Sequence, residues 1–346
     1  MSLSRRTFLA QSAFALAGLT LAGCSSQGGA GEAEAGAQSA ADAAAGFPVT
    51  LEHAFGSTTI EAAPERIATI GWGNHDVVLA LGKAPVGMDR ATYGIAEGEN
   101  TYSWTQEAID ALGATSDVVF FDGNDGIDLE AVNDVEPDVM LCPYSGVTED
   151  DYDNLSEICP TVPYSTLPWT TPWREQTEVI AKAMGLDAEG AALIEQTETL
   201  IAEKAAAHGV SGQKVAVLWL DASDLSTITA YKPGEPRVSY LEDLGFTHPT
   251  SLAQLGADSE NFYFSFSAEE ADKLDDIDVV ITYGDDAFVT QLQGDAILGT
   301  IPAIKAGRVV PIDLMSALSA SCTPSVLSIP ATIDEYLGLI EDALAK

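Results

Sequence analysis

The stretch at residues 171–208, TPWREQTEVIAKAMGLDAEGAALIEQTETLIAEKAAAH, decides the fold. Thr171 followed by Pro172 reads as an N-cap and a first helical residue, because the first turn leaves its N–H groups unused. Val179, Ile180, Ala183 and Met184 recur on one face of this helix. Gly185 can take the left-handed conformation that ends a helix, and Asp187 can cap a second one. Ala191, Ile194, Glu198 and Ile201 continue at helical spacing toward Lys204, and a piece of about 20 residues spans roughly 30 Å. Alternating strand and helix patterns lie on both sides. The arrangement predicts two lobes joined once, by a stiff helix, with a ligand in the groove between them.

The 346 residues suffice for two domains, and a hydrophobic fraction of 46% suits packed cores. Charge is the outlier: 15 Lys and Arg stand against 53 Asp and Glu, a net of −38. Such a surface repels phosphate backbones and anionic lipid heads, which argues against a nucleic-acid partner. The acids are spread along the whole chain, as on a strongly solvated surface rather than in a functional patch.

Residues 1–23 read as an export signal. Arg5 and Arg6 precede an apolar run at 8–22 that is shorter than the roughly 20 residues of a membrane span. Leu21-Ala22-Gly23-Cys24 resembles a lipobox, which would make Cys24 the acylated residue. Ser4-Arg5-Arg6-Thr7-Phe8-Leu9 also resembles a twin-arginine motif, with Ala10 where that motif often has Lys. Residues 24–46 carry small and polar residues almost alone and read as a flexible tether.

Strands are expected at 67–70, 85–88, 118–121, 139–142 and 161–164, with helices between. Asn74 and Thr148 are candidate helix caps. After the linker the scheme repeats, with strands at 215–220, 279–283 and 309–312 and helices at 238–244, 288–298 and 333–344. The fold class is therefore α/β: two Rossmann-like lobes with mainly parallel sheets, at 47–170 and 209–346, joined by a single long α-helix within 171–208. EAVNDVEPDVML at 130–141 aligns without gaps to EADKLDDIDVVI at 270–281, a faint sign of duplication.

PERIATIGWGNHDVVLALGKAPVGMD, DLEAVNDVEPDVMLCPYSG, DNLSEICPTVPY, FSAEEADKLDDIDVVITY and IPAIKAGRVVPID resemble successive blocks of the iron-siderophore substrate-binding proteins of ABC importers. The likeness covers about 47–344, in order, with the linking helix in the middle. It implies a lipid-anchored, extracytoplasmic monomer that holds a ferric siderophore between its lobes and delivers it to a membrane permease. It implies no resident cofactor, no metal ligated by the protein and no catalysis. It also implies a glutamate on each lobe's outer face that meets the permease: Glu130 on the first, Glu269 or Glu270 on the second. Ser267 with Glu270 fits a capping box, the structural alternative for Glu270. Haem and cobalamin are the alternative cargoes.

Ligands of open parallel sheets bind outside the carboxyl ends of the strands. Those ends offer Trp72, Arg90 and Tyr144 in the first lobe and Tyr231, Arg237, Tyr283 and Met315 in the second. Aromatic faces and guanidinium groups suit a rigid ferric chelate. Trp72 lies between two glycines that let it protrude. Arg90 and Arg237 could equally pair with nearby acids. Trp104, Trp169 and Trp173 could line the groove or pin loops, and Trp104 is taken as a ligand candidate. Trp219, inside a strand, reads as core, and His75 as a helix-surface residue.

Cys142 and Cys159 border adjacent strands and are expected to form a disulfide, with Cys322 a buried thiol. A lipid-anchored enzyme is the reading from another class, but no G-x-S-x-G elbow, H-E-x-x-H or P-loop is present. DGNDGID at 122–128 has its glycine one place early for an EF-hand and reads as a turn. His53, His75, His208 and His248 are too scattered for a bare-metal site. The scarcity of Lys and Arg leans toward a neutral or cationic hydroxamate, with catecholate and citrate chelates open.

Overall fold

The computed structural model describes residues 46–95, 98–124 and 126–346. The signal, the Cys24 lipidation site and the tether up to residue 45 lie outside the described residues. No helix among the described residues is long and apolar enough to cross a membrane.

An antiparallel hairpin, β1 (Val49–His53) and β2 (Gly56–Ile60), opens the body. The first lobe then alternates strand and helix: β3 (Ile67–Thr69), α1 (Asn74–Ala80), β4 (Gly87–Asp89), α2 (Ser103–Ala111), β5 (Val119–Phe121), α3 (Leu129–Asp134), β6 (Val139–Leu141), α4 (Glu149–Ser156) and β7 (Thr161–Val162). Its five strands are all parallel, in the order β5-β4-β3-β6-β7. Burial on both faces explains the unbroken apolar triplets of β3 and β6. Thr148 caps α4 through a reciprocal pair with Asp151.

The linker is two helices, α5 (Trp173–Ala183) and α6 (Asp187–His208), turned at Gly185 with φ +68°. Thr171 is not the cap. Its hydroxyl is buried and donates to the Pro143 carbonyl at 2.6 Å, and Pro172 takes the N-cap position. Asp187 does not cap α6 either, whose N-cap is Leu186. The buried stripe of α6 is Gly190, Thr197, Ile201 and Ala205. Ala191 and Glu198, expected on that stripe, face outward, and Glu198 pairs with Arg174.

The second lobe holds β8 (Val215–Asp221), β9 (Asp224–Tyr231), α7 (Pro236–Asp243), α8 (Thr250–Leu255), β10 (Tyr263–Ser267), β11 (Val279–Tyr283), α9 (Asp286–Gly294), α10 (Pro302–Ala306), β12 (Val309–Ile312), α11 (Ala317–Ser321) and α12 (Ser328–Leu344). Its sheet order is β10-β9-β8-β11-β12. β8, β11 and β12 are parallel as expected, but β9 and β10 add an antiparallel extension, so this sheet is mixed. Hydroxylated residues (Ser226, Thr227, Thr229, Ser265) occupy the extension's exposed and half-buried positions without strict alternation, which hides the strand signal in the sequence.

The internal echo has a structural counterpart. Asp138 accepts hydrogen bonds from the Glu65 and Arg66 N–H groups just before β3, and Asp278 accepts one from the Lys214 N–H just before β8. One apolar core runs from the first sheet through α5 and α6 to the second sheet and α12, including Ile67, Val77, Trp173, Ile180, Ile201, Val217, Tyr240 and Ile333.

The expected Cys142–Cys159 disulfide is absent: both thiols, like Cys322, are free and buried. Parallel register explains this. Leu141 pairs with Val162, so Cys142 lies level with Pro163, four residues past Cys159 along the strand direction.

Candidate functional site

In the first sheet the strand order reverses between β3 and β6, and open α/β sheets place ligands at that point, beyond the carboxyl ends. Here the β3 loop carries Trp72 and the β6 loop carries Tyr144. Trp72 N–H donates to the Tyr144 carbonyl at 2.9 Å. Asn74 is not a helix cap; it staples the two loops, donating to the Ile70 and Tyr144 carbonyls and accepting from Tyr144 N–H. Gln176 on α5 donates to the Trp72 carbonyl and to Asn74 Oδ1, at 2.7 and 2.8 Å. Gly71, at φ +86°, has no room for a side chain: a Cβ would fall 2.4 Å from the Tyr144 carbonyl oxygen.

A cavity of about 210 Å³ opens beside these loops, with walls from both lobes. Trp72, Tyr93, Tyr144 and Trp169 come from the first lobe; Glu235, Arg237, Phe262 and Thr323 come from the second. Tyr93 stacks on Trp72 at 5.1 Å, and Trp169 meets Tyr144 edge-on at 5.7 Å. Trp169 has φ +59° and is 41% exposed, with Gly146 leaving room for its indole. A bulky residue held in the left-handed region marks a position fixed by its surroundings, as binding-site residues often are.

Glu235 is the N-cap of α7, accepting from the Arg237 and Val238 N–H groups at 2.9 and 3.3 Å, and it pairs with Arg237 Nη1 at 2.5 Å. The Arg237 guanidinium lies over the Tyr231 ring at 4.7 Å, and its buried Nε meets no partner. Burial pushes the Glu235 carboxyl up, against the pull of Arg237. Burial works against the Arg237 charge, but Glu235 holds it firmly protonated. Burial also pushes Tyr93 up to about 12 and raises Tyr144, so both phenols stay neutral at physiological pH. Chemically this is an aromatic box with one guanidinium whose charge is matched by one carboxylate.

Of the residues singled out in the sequence, Trp72, Tyr144 and Arg237 line this cavity, and Tyr231 supports Arg237 from below. Trp104 does not reach it: the ring is buried against Tyr102 at 4.7 Å, and its Nε1 donates to Asp76. Arg90 is exposed and outside the cavity. Tyr283 packs on Trp219 at 5.3 Å in a second hollow of about 630 Å³, at the carboxyl ends of β8, β11 and β12. Trp219 is thus half-exposed rather than core, and Met315 is exposed beyond that hollow. Trp173 is core, donating to Asp243. His75 is buried rather than on a helix surface. Trp169, left open in the sequence between lining the groove and pinning a loop, lines the cavity, and its positive φ has no sequence mark; Tyr93, Glu235, Phe262 and Thr323 are lining residues that sequence reasoning did not assign.

Among the described residues no group of three or more His, Cys, Asp or Glu side chains is placed to hold a metal ion. In the 122–128 turn, Asp122 bonds Asn124 and Asp128 caps α3. On the outer faces, Glu130 and Glu269 are exposed and Glu270 pairs with Lys273. The Ser267 hydroxyl accepts from Glu269 N–H, so the capping box with Glu270 does not form.

The periplasmic binding protein family model matches residues 67–314. The Streptococcus pneumoniae TIGR4 protein PiaA in complex with ferrichrome superimposes with TM-score 0.82 at 44% identity, covering 86% of this chain and 99% of that one. A second structure, of PiaA as an iron uptake ABC transporter substrate-binding protein, gives TM-score 0.79 at 43% identity, with 86% and 99% covered. A periplasmic solute binding protein from Mycobacterium smegmatis gives 0.67 at 27% identity, covering 86% and 98%. No curated protein matches the chain.

Proposed function

Because the chain belongs to the periplasmic binding protein family, as an iron-siderophore substrate-binding protein of an ABC importer, we propose that the cavity between Trp72 and Arg237 seats a ferric siderophore. One observation carries this: four aromatic side chains of one lobe face a guanidinium and Phe262 of the other across a single cavity. Such walls hold a rigid chelate by stacking and by charge-assisted hydrogen bonds to its ligand oxygens. The Arg237 Nε without a partner supplies a donor for that purpose. Ferrichrome, held by the pneumococcal relative, is the model cargo, a hydroxamate. The protein binds and delivers its cargo outside the cytoplasm and does no chemistry on it.

Tryptophan-fluorescence titration of the purified protein with ferrichrome, its iron-free form, ferric catecholates, ferric citrate, haem and cobalamin tests the reading. Tight quenching by an iron-loaded siderophore, lost in Trp72→Ala and Arg237→Ala, is the expected result. Tighter binding of haem or cobalamin than of every siderophore would replace it.

The remaining parts of the reading are Cys24 as the lipid anchor and Glu130 with Glu269 as the permease contacts. Exposure favours Glu269 over Glu270, whose carboxylate is engaged by Lys273. Alanine at Glu130 or Glu269 should reduce uptake by cells and leave chelate affinity unchanged; unchanged uptake in both variants would remove these contacts from the proposal.

A further inference from the structure

Glu235 is the acid that the cavity did not need for binding a chelate. Among the described residues Glu235 is the one acid that lines the cavity, and it is 1% exposed. Burying a carboxylate is costly unless it is paired and hydrogen-bonded. Here it has Arg237 Nη1 and two backbone N–H groups of α7. Helix capping does not by itself call for Glu, since Ser, Thr, Asp and Asn are the favoured cap residues. The longer side chain also reaches the guanidinium of Arg237, two residues on. The other cavity walls, Trp72, Tyr93, Tyr144, Trp169, Phe262 and Thr323, are uncharged. The lining therefore holds one positive and one negative charge in direct contact.

We propose that Glu235 is a specificity-determining residue: by cancelling the charge of Arg237 inside the cavity, it makes the site accept a neutral ferric chelate and reject anionic ones. This deepens the siderophore reading and rests on it. The chemistry of the cargo supplies the distinction. Three hydroxamates, each losing one proton, balance Fe(III) and give a neutral complex. Three catecholates, each losing two, leave a trianion, and citrate complexes are anionic as well. A trianion entering the cavity meets the Glu235 carboxylate and, behind it, the field of a protein with net charge −38. A neutral trihydroxamate meets neither penalty and still finds the Arg237 Nε–H. The raised pKa of Glu235 agrees with a carboxylate held in a dry site, where like charges are least screened.

The test compares ferrichrome with a ferric tricatecholate on wild-type protein and on Glu235→Gln, by tryptophan fluorescence. Gln keeps an oxygen that accepts from the α7 N–H groups, so the cap is preserved while the charge is removed. Wild type should prefer ferrichrome by about a hundredfold or more, since like-charge juxtaposition costs several kcal/mol. Glu235→Gln should move the ratio of ferrichrome to tricatecholate affinity about tenfold or more toward the tricatecholate. Equal loss for both chelates would show that Glu235 only positions Arg237 and would overturn the proposal. An unchanged preference would overturn it too. Should the single variant fail to fold, Glu235→Ser, which leaves Arg237 in place and keeps a favoured cap oxygen, removes the same charge and is read in the same way. Wild-type protein that binds neither chelate would overturn the seat itself, an outcome distinct from binding both alike, which overturns only the role of Glu235.

Discussion

Asp89 ends β4 with its carboxylate on the Gly71 N–H at 2.7 Å, beneath the loop that carries Trp72. Burial pushes its pKa from 3.8 to about 6, against the pull of that N–H. The folded value lies above the unfolded one, so between about pH 4 and 6 the native state keeps a proton that the unfolded chain has released. The stability this contributes is complete below about pH 4 and is lost as pH rises through about 6. The change from 3.8 to about 6 corresponds to about 3 kcal/mol. Asp89→Asn keeps an oxygen for Gly71 and cannot ionise. Urea unfolding should find it more stable than wild type at pH 7.5 by about 1–3 kcal/mol, with the gap shrinking toward pH 4; a gap that does not change with pH would contradict this. Residues like Trp72 and Tyr144 are legible in the sequence because a Gly-Trp-Gly turn or a strand end announces them. Glu235 is not, because nothing in a chain with 53 acids marks the one that lines the cavity among the described residues. Trp169 and Phe262 lie in irregular segments, where no periodicity tells an inward ring from an outward one.

Helices α5 and α6 meet at Gly190, where an added Cβ would fall 2.3 Å from the Ala181 Cβ. In α12, Gly338 has nothing within 4 Å of the same position. Helix propensity favours Ala over Gly by about 1 kcal/mol at either site. Packing then decides the sign, because overfilling a tight contact costs about 1–3 kcal/mol. Gly338→Ala should raise the melting temperature and Gly190→Ala lower it; the same sign for both would mean that α6 can move away from α5 without cost. The alternating strand–helix pattern and α5 were readable because their apolar periods are clean, whereas in α6 only Ile201 of the expected stripe is buried and Ala191 and Glu198 face outward. The β9–β10 extension was not readable, since Ser226, Thr227, Ser265 and Ser267 on its exposed side give no clean alternation of apolar and charged residues. The predicted disulfide failed for a related reason. Spacing along the chain shows that two cysteines flank neighbouring strands, but only the parallel register shows how far one lies past the other.

Across the whole molecule, the lobes are joined by more than the linker. After β12 the chain returns to the first lobe, where Ala320 packs with Tyr102 and Trp104. The Ser325 hydroxyl donates to Asp76, which is 2% exposed and also accepts from Trp104 Nε1 and the Thr105 hydroxyl at 3.2 and 2.7 Å. Opening the lobes widely would strip this carboxylate of a donor in a dry site, at about 1–3 kcal/mol, and would also split the apolar core that runs through α5, α6 and α12. Binding a chelate therefore has little room to swing the lobes. Small-angle scattering of free and ferrichrome-loaded protein should give radii of gyration within about 1 Å of each other, as in complexes whose partners are pre-organised. Ser325→Ala removes the donor to Asp76 and also the acceptor of the Ser328 N–H at the start of α12, so the size of the free form, rather than stability, reports on the tie. The variant should be destabilised by about 1–3 kcal/mol, and, if the tie limits opening, its free form should be measurably more expanded than free wild type. A variant as compact as wild type would place the restraint in the shared core alone, and a large compaction of wild type on loading would show that neither restraint holds.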